Sequence, residues 1–305
     1  MRNAFSDALV AAALADPRIL LLTGDHGYAL FDQFRKKCPN QFINCGVAEQ
    51  NMVGVAAGLA KAGFKPVVYG LAAFVPIRVL EQIKIDICYE NLPVILIGDG
   101  AGMVYSHLGI SHQSTEDIAC TRCLPELMVL SPSDRFEIKA AMELALRSES
   151  PVYLRMGKSD CGDVHSTNVH LEPGQMLQVR PGQNPIAMIA TGSMVITAMR
   201  LSEQIFKSEV WSVPSIKPIS ERQIHSIAQR VSHLITLEEH SVIGGLGSAI
   251  SETIVSHPSP PICRIGVMNR FSQSCGDWRH MLDEHGLDDG SIVQKIQQFL
   301  NPEAL

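Results

Sequence analysis

Several short stretches of the sequence carry side chains able to do chemistry. In Phe42-Ile-Asn-Cys-Gly-Val-Ala-Glu-Gln-Asn-Met52 an apolar run stops at Gly46 and a small-residue run begins. This puts Glu49 in the first turn of a helix that starts where a strand ends, and open parallel sheets bind ligands beyond the carboxyl ends of their strands. A carboxyl placed there can give or take a proton, or it can do no more than balance the helix dipole. His107 and His112 share one glycine-containing loop. A neutral imidazole in such a loop can hydrogen-bond a substrate oxygen or shuttle a proton, and it can equally be structural. Cys120-Thr-Arg-Cys123 is a single CxxC with no second pair and no following histidine cluster. That is weak as a zinc or redox signal and predicts two thiols in or beside a helix. Gly98-Asp-Gly100 reads as an end-of-strand turn. Glu238-Glu-His240 precedes Gly244-Gly-Leu-Gly247, a glycine-rich turn without the spacing and acidic partner of a dinucleotide fingerprint, and is assigned to helix–sheet packing and subunit contacts.

The elements that must position these residues follow from the hydrophobic pattern. Short, almost wholly apolar runs at 19–23, 42–45, 66–69, 94–97, 127–130 and 152–154 alternate with helical patterns at 48–62, 79–90 and 134–147. Strands apolar on both faces and separated by helices indicate a parallel sheet covered on both sides. Residues 1–165 therefore form a doubly wound α/β domain. Residues 166–184 are polar and rich in Gly and Pro, which predicts a linker. A second α/β series fills 185–305, with strands at 186–190, 209–213, 234–238 and 262–265, and helices at 195–206, 221–231, 247–255 and 292–300. The fold class is α/β, two doubly wound domains in series.

Composition sets bounds on function. The chain has 305 residues, 46% of them hydrophobic, which suffices for two buried cores at about 150 residues per domain. The net charge is −6 and no Lys/Arg-rich block occurs, which argues against nucleic-acid or membrane-surface partners. The N-terminal stretch is broken by Asp7 and Asp16 and reads as an amphipathic helix, not a secretory leader. No run is long and apolar enough for a membrane span. Eight dispersed cysteines without a leader imply reduced thiols and a cytoplasmic protein.

The ordered series of motifs is similar to one family. The run 42–52, followed by Gly63-Phe-Lys-Pro-Val-Val68, Phe74 and Glu81-Gln-Ile83, resembles the pyrimidine-binding domain of thiamine-diphosphate enzymes of the transketolase family. The likeness continues through Gly109-Ile-Ser-His-Gln113, Leu130-Ser-Pro-Ser-Asp134 and Pro151-Val-Tyr-Leu-Arg155. It resumes at Leu237-Glu-Glu-His240, Gly244–Gly247 and Gly286-Leu-Asp-Asp-Gly290. The resemblance implies that Glu49 meets N1′ of the cofactor's aminopyrimidine, that Phe74 packs on that ring, and that Gly46, Leu71 and Asp25 complete the cofactor-binding surface. It implies that His112, with His107 as a weaker candidate, faces the substrate, and that Lys158 and Arg155 take its anionic end. A lysine can bind phosphate as a point charge but lacks the bidentate fork of arginine.

The likeness begins directly at the pyrimidine domain. Family members hold the diphosphate and Mg²⁺ through a further N-terminal domain with a Gly-Asp-Gly motif and a downstream asparagine, whereas Leu127-Met-Val-Leu-Ser-Pro132 follows the motif here. The resemblance therefore implies one subunit of a split transketolase, with no metal ligands of its own. A separate diphosphate-binding chain, an α₂β₂ assembly, self-association and a sugar substrate are expected. Leu108 stands where sugar-using members carry an aspartate, and Gly100 where they carry another histidine, so an unusual or nucleotide-linked sugar is expected. Alternatives are a 2-oxo acid dehydrogenase beta-type subunit, a 1-deoxyxylulose-5-phosphate synthase-like carboligase, and a non-catalytic structural or regulatory subunit.

Overall fold

The structure is a computed structural model, and it describes residues 1–158 and 160–301. The first half runs α1 (Arg2–Ala15), β1 (Ile19–Thr23), α2 (Asp32–Lys37), β2 (Phe42–Asn44), α3 (Glu49–Lys61), β3 (Lys65–Leu71) and α4 (Leu80–Gln82). It continues through β4 (Ile95–Asp99), α5 (Asp117–Arg122), β5 (Met128–Leu130), α6 (Arg135–Arg147) and β6 (Val152–Met156). The second half comprises β7 (Leu177–Arg180), β8 (Ile186–Ala190), α7 (Met194–Leu201), β9 (Glu209–Ser212), β10 (Ser215–Lys217) and α8 (Glu221–Ala228). It ends with β11 (His233–Ser241), α9 (Leu246–Ile254), β12 (Ile262–Val267), α10 (Trp278–Glu284) and α11 (Asp289–Leu300). Among the described residues no helix is long and apolar enough to cross a membrane.

The first sheet has the order β10-β5-β6-β4-β3-β1-β2 and the second β12-β11-β8-β9-β7. β1 to β6 run parallel, as do β8, β9, β11 and β12. Every residue of β1, β4, β6 and β8 is buried, because helices cover both faces of the strands. Phe5 and Leu9 of α1 pack with Phe31, Phe34 and the inner face of α6 on one side of the first sheet. Met52, Val53 and Ala56 of α3 pack on the other side, in a core that continues through Ile118 and Leu127 to Ile216, Ile224 and Leu246 of the second half. Aspartates cap α6, α10 and α11: Asp134 accepts from the N–H groups of Phe136 and Glu137, Asp277 from His280, and Asp288 from Ser291.

The halves are interleaved more than the composition predicts. The 166–184 stretch, expected as linker, contains β7, an antiparallel edge strand pairing Leu177 with Ser212 and Gln178 with Trp211. Its side chains are half-exposed, so it lacks the apolar signature of an inner strand. β10 leaves the second half to pair antiparallel with β5 of the first sheet, Ser215 opposite Leu130. Three residues are too few for any pattern to show.

Candidate active site

The carboxyl ends of the parallel strands bring together loops that are far apart in the chain. Gly24 to His26 follow β1, Cys45 to Ala48 follow β2, Ala72 to Ile77 follow β3, and the segment from Gly100 to Thr115 follows β4. The first two loops lie back to back, with the Cys45 N–H on the Thr23 carbonyl at 2.7 Å. Gly46 takes a positive φ of 70°, and its N–H donates to Asn44 Oδ1 at 2.8 Å. Only glycine turns there without strain, and the turn delivers the chain into α3 with Glu49 as its first residue.

Glu49 is 3% exposed. Arg78 donates Nη1–H to its Oε2 at 2.9 Å, and His26 Nε2 lies 3.7 Å from Oε1. Burial pushes the carboxyl up, but its own backbone N–H, the guanidinium and His26 outweigh burial and bring it below the ordinary value. Phe74 stands beside this pair, held by N–H donation to the Leu71 carbonyl at 2.8 Å. Three side chains surround its ring: the Arg78 guanidinium carbon at 4.0 Å from the centroid, His112 edge-on at 5.3 Å, and His26 at 5.8 Å. His26 Nε2 is buried and has no hydrogen-bond partner. A flat, half-buried aromatic face with an acid at its edge and two imidazoles around it suits a flat heterocycle that offers nitrogens.

Glu49, Phe74 and His112 are thus brought together, with Gly46 and Leu71 shaping the backbone around them. Asp25 is exposed and accepts from the Tyr28 hydroxyl. His107 is exposed, and its ring meets Tyr105 at 6.3 Å. Tyr105 donates to Asp99 at 2.9 Å, and Asp99 also accepts from Tyr69 at 2.7 Å. The Gly98-Asp-Gly100 carboxylate is consumed by these tyrosines, and a Cβ on Gly100 would stand 2.0 Å from the Tyr105 ring. Lys158 lies apart from the cluster in a groove of ≈ 680 Å³ between the halves, paired with Asp160 at 2.7 Å and 5.9 Å from the Trp278 ring.

Arg155 does not reach the site. It is 2% exposed, its Nε–H donates to both oxygens of Asp117 at 2.8 and 3.1 Å, and its Nη2–H donates to the Glu239 carbonyl at 2.8 Å. It ties β6 and α5 to β11, and its burial keeps the guanidinium inside the protein. The glycine-rich turn before α9 is closed as well. Glu238 accepts from the N–H groups of Leu246 and Gly247 at 2.6 and 2.9 Å, where an external anion would otherwise sit.

His26 and Arg78 went unnoticed in the sequence. The signal for His26 is its place three residues past an apolar strand, beside Asp25. Arg78 lies between Phe74 and Glu81 within a stretch already singled out.

Comparison with known proteins places this geometry. Residues 1–163 match the model "Transketolase, pyrimidine binding domain", and residues 174–292 match "Transketolase, C-terminal domain". The chain belongs to the transketolase family. It is 33% identical over 98% of its length to one of the subunits of the apulose-4-phosphate transketolase of Phocaeicola vulgatus, covering 97% of that protein. It is 32% identical, over 98% of its length and 94% of the relative's, to the 6-deoxy-6-sulfo-D-fructose transketolase subunit SqwH of a Clostridium species. Among solved structures, a split-gene transketolase in the form of an inactive β4 tetramer superposes with a TM-score of 0.89, at 33% identity and 97% coverage of both chains. The fold and the two-domain family assignment agree with the sequence reading, and these relatives are transketolase subunits.

The buried Glu49 carboxylate, the orphaned His26 Nε2 and the half-buried Phe74 ring, stacked by the Arg78 guanidinium, fit the aminopyrimidine end of thiamine diphosphate, the cofactor of this family, once that guanidinium gives way. Among the described residues no group of three or more His, Cys, Asp or Glu side chains is arranged to hold a metal ion.

Proposed function

We propose that this chain is the pyrimidine-binding subunit of a heteromeric, thiamine-diphosphate-dependent transketolase acting in the cytoplasm. In this reading a separate chain supplies the diphosphate-binding domain and its Mg²⁺, and an α₂β₂ assembly carries two sites. The reaction moves a two-carbon ketol unit from a ketose phosphate to an aldehyde or ketone acceptor. The observation that carries this is the buried Glu49 at the edge of the Phe74 face, in a chain that matches split transketolase subunits almost from end to end.

When bound, thiamine diphosphate supplies the electron sink that makes carbon–carbon bond exchange possible. Glu49 holds a proton against N1′ of its aminopyrimidine, and Phe74 supplies the flat surface that fixes the ring's plane. His112 and His26, both beside the Phe74 ring, present nitrogens that hydrogen-bond or move a proton at substrate oxygens. Asp25 and Tyr28 form an exposed rim, with His107 farther along the β4 loop. Lys158, in the groove beside Trp278 and paired with Asp160, is the group we assign to an anionic end of the substrate that reaches out of the cluster. The departures at Leu108 and Gly100, and relatives named for apulose-4-phosphate and a sulfosugar, favour a modified sugar over the common ketose phosphates.

The chain is also 34% identical to the 1-deoxy-D-xylulose-5-phosphate synthase of Chlorobium luteolum, yet it spans only 48% of that protein. The split-enzyme reading is favoured because the transketolase relatives match it at nearly full length. Donor identity separates the two, since pyruvate would release CO₂ and a ketose would not.

The test begins with native mass spectrometry of the protein purified from its own source. A second chain and thiamine diphosphate should be retained. In that complex Glu49→Gln should abolish turnover while assembly persists; full activity in the variant would remove Glu49 from the mechanism.

A further inference from the structure

Arg78 makes two contacts at once, both with the groups that the proposed function gives to the aminopyrimidine. Its guanidinium carbon stands 4.0 Å over the Phe74 ring, and its Nη1–H donates to Glu49 at 2.9 Å. A guanidinium is a flat cation that stacks on an aromatic face while its edge donates to a carboxylate. An aminopyrimidine is also flat, stacks on the same face and pairs with the same carboxyl through N1′. The two cannot hold these partners together. Arg78 is nevertheless 45% exposed, whereas Glu49 is 3% exposed, so the arginine is the partner free to leave. The guanidinium also settles the ionic form of Glu49, because a carboxylate beside a cation stays deprotonated. Pairing with N1′ needs the opposite, a carboxyl that can carry a proton, and withdrawing the arginine provides it. The other ionisable group facing Glu49 is His26 at 3.7 Å.

We propose that Arg78 is an exchangeable stand-in for the aminopyrimidine, holding Glu49 and Phe74 until cofactor binding displaces it. This rests on the reading of the site as a thiamine-diphosphate site. Arg78 acts through Glu49 and Phe74, so it is a positioning residue that sets the ease of cofactor entry.

The test uses the full chain in complex with its native partner, Mg²⁺ and thiamine diphosphate, with calorimetric titration of wild type, Arg78→Gln and Arg78→Lys. Removing a competitor worth an exposed ion pair plus a cation–π contact should lower the cofactor Kd roughly fivefold in Arg78→Gln. Arg78→Lys, which keeps charge but not the flat stack, should fall between. The cofactor-free Arg78→Gln chain should also unfold at lower temperature than wild type, since Glu49 loses its cation. Tighter binding with lower apo stability is a signature that neither a direct cofactor contact nor a purely structural role produces. A Kd equal to or above wild type in Arg78→Gln overturns the exchange and leaves the cofactor reading intact. Failure of the wild-type complex to bind thiamine diphosphate overturns both.

Discussion

Replacing Asp117 by asparagine should destabilise the chain more than any exposed substitution, and the structure supplies the size of the effect. Asp117 is 0% exposed and Arg155 2%. Asp117 accepts from Arg155 Nε–H at 2.8 and 3.1 Å and from the Tyr153 hydroxyl at 2.7 Å. Arg155 continues to the Glu239 carbonyl, so the pair joins the first sheet to β11 of the second half. Asparagine keeps the shape and removes the charge, which strands a guanidinium in the interior. Breaking one side of a buried pair costs about 3–5 kcal/mol. At roughly 2–4 °C per kcal/mol for a large domain, the thermal midpoint should fall by about 6–20 °C. Scanning calorimetry of the purified chain reads this directly. Asp117→Leu combined with Arg155→Met removes both charges, and should recover much of the loss, because the cost lies in the uncompensated ion and not in the missing pair. A drop below about 2 °C for Asp117→Asn would refute the reasoning, since it would mean that water reaches Arg155. If Arg155→Met raised KM for the phosphorylated sugar at an unchanged midpoint, Arg155 would return to the substrate-binding role expected from its place in the sequence.

Gly245→Ala should cost about 1–3 kcal/mol on a denaturant curve, because its Cβ would stand 1.9 Å from Glu238 Oε2 and 2.6 Å from His240 Nδ1 in a filled interior. The same corner predicts opposed pH dependences. Burial pushes the Glu238 carboxyl up to about 7 and the His240 imidazole down to about 4. Folded Glu238 binds its proton more tightly than unfolded Glu238, so its contribution is lost as pH rises from 4.5 to about 7. His240 is protonated first in the unfolded chain, so its contribution is lost as pH falls from 6.5 to about 4. Stability of Glu238→Gln should therefore decline on acidification over that range, that of His240→Gln should rise, and wild type should be flatter than either. Parallel slopes in the two variants would show that burial does not set these protonation states.

The elements that were legible in the sequence share one physical property. β1 and β8 coincide with the expected strands residue for residue, because each is buried on both faces and therefore apolar but for the closing Thr23 of β1. β7 and β10 owe their existence to pairing: the one with Trp211 and Ser212 of β9, the other with Val129 and Leu130 of β5. Neither needs an apolar face of its own, so neither announces itself. The candidate site divides along the same line. Glu49 and His112 are legible as candidates because each sits in a stretch that resembles the family, one at the end of β2 and one in the loop after β4. His26 and Arg78 complete the cluster from two other loops, and their roles come from facing Glu49 and Phe74 across the sheet edge at 3.7 and 4.0 Å. Arg155 is the converse case. It belongs to a run that matches the family, yet it lies inside β6, one residue before its end, in an inner strand whose side chains turn alternately into the two cores. Strand alternation therefore sends it inward to Asp117, and a charged residue at the carboxyl end of an inner strand has to be assigned by the face it occupies before it is assigned to a ligand.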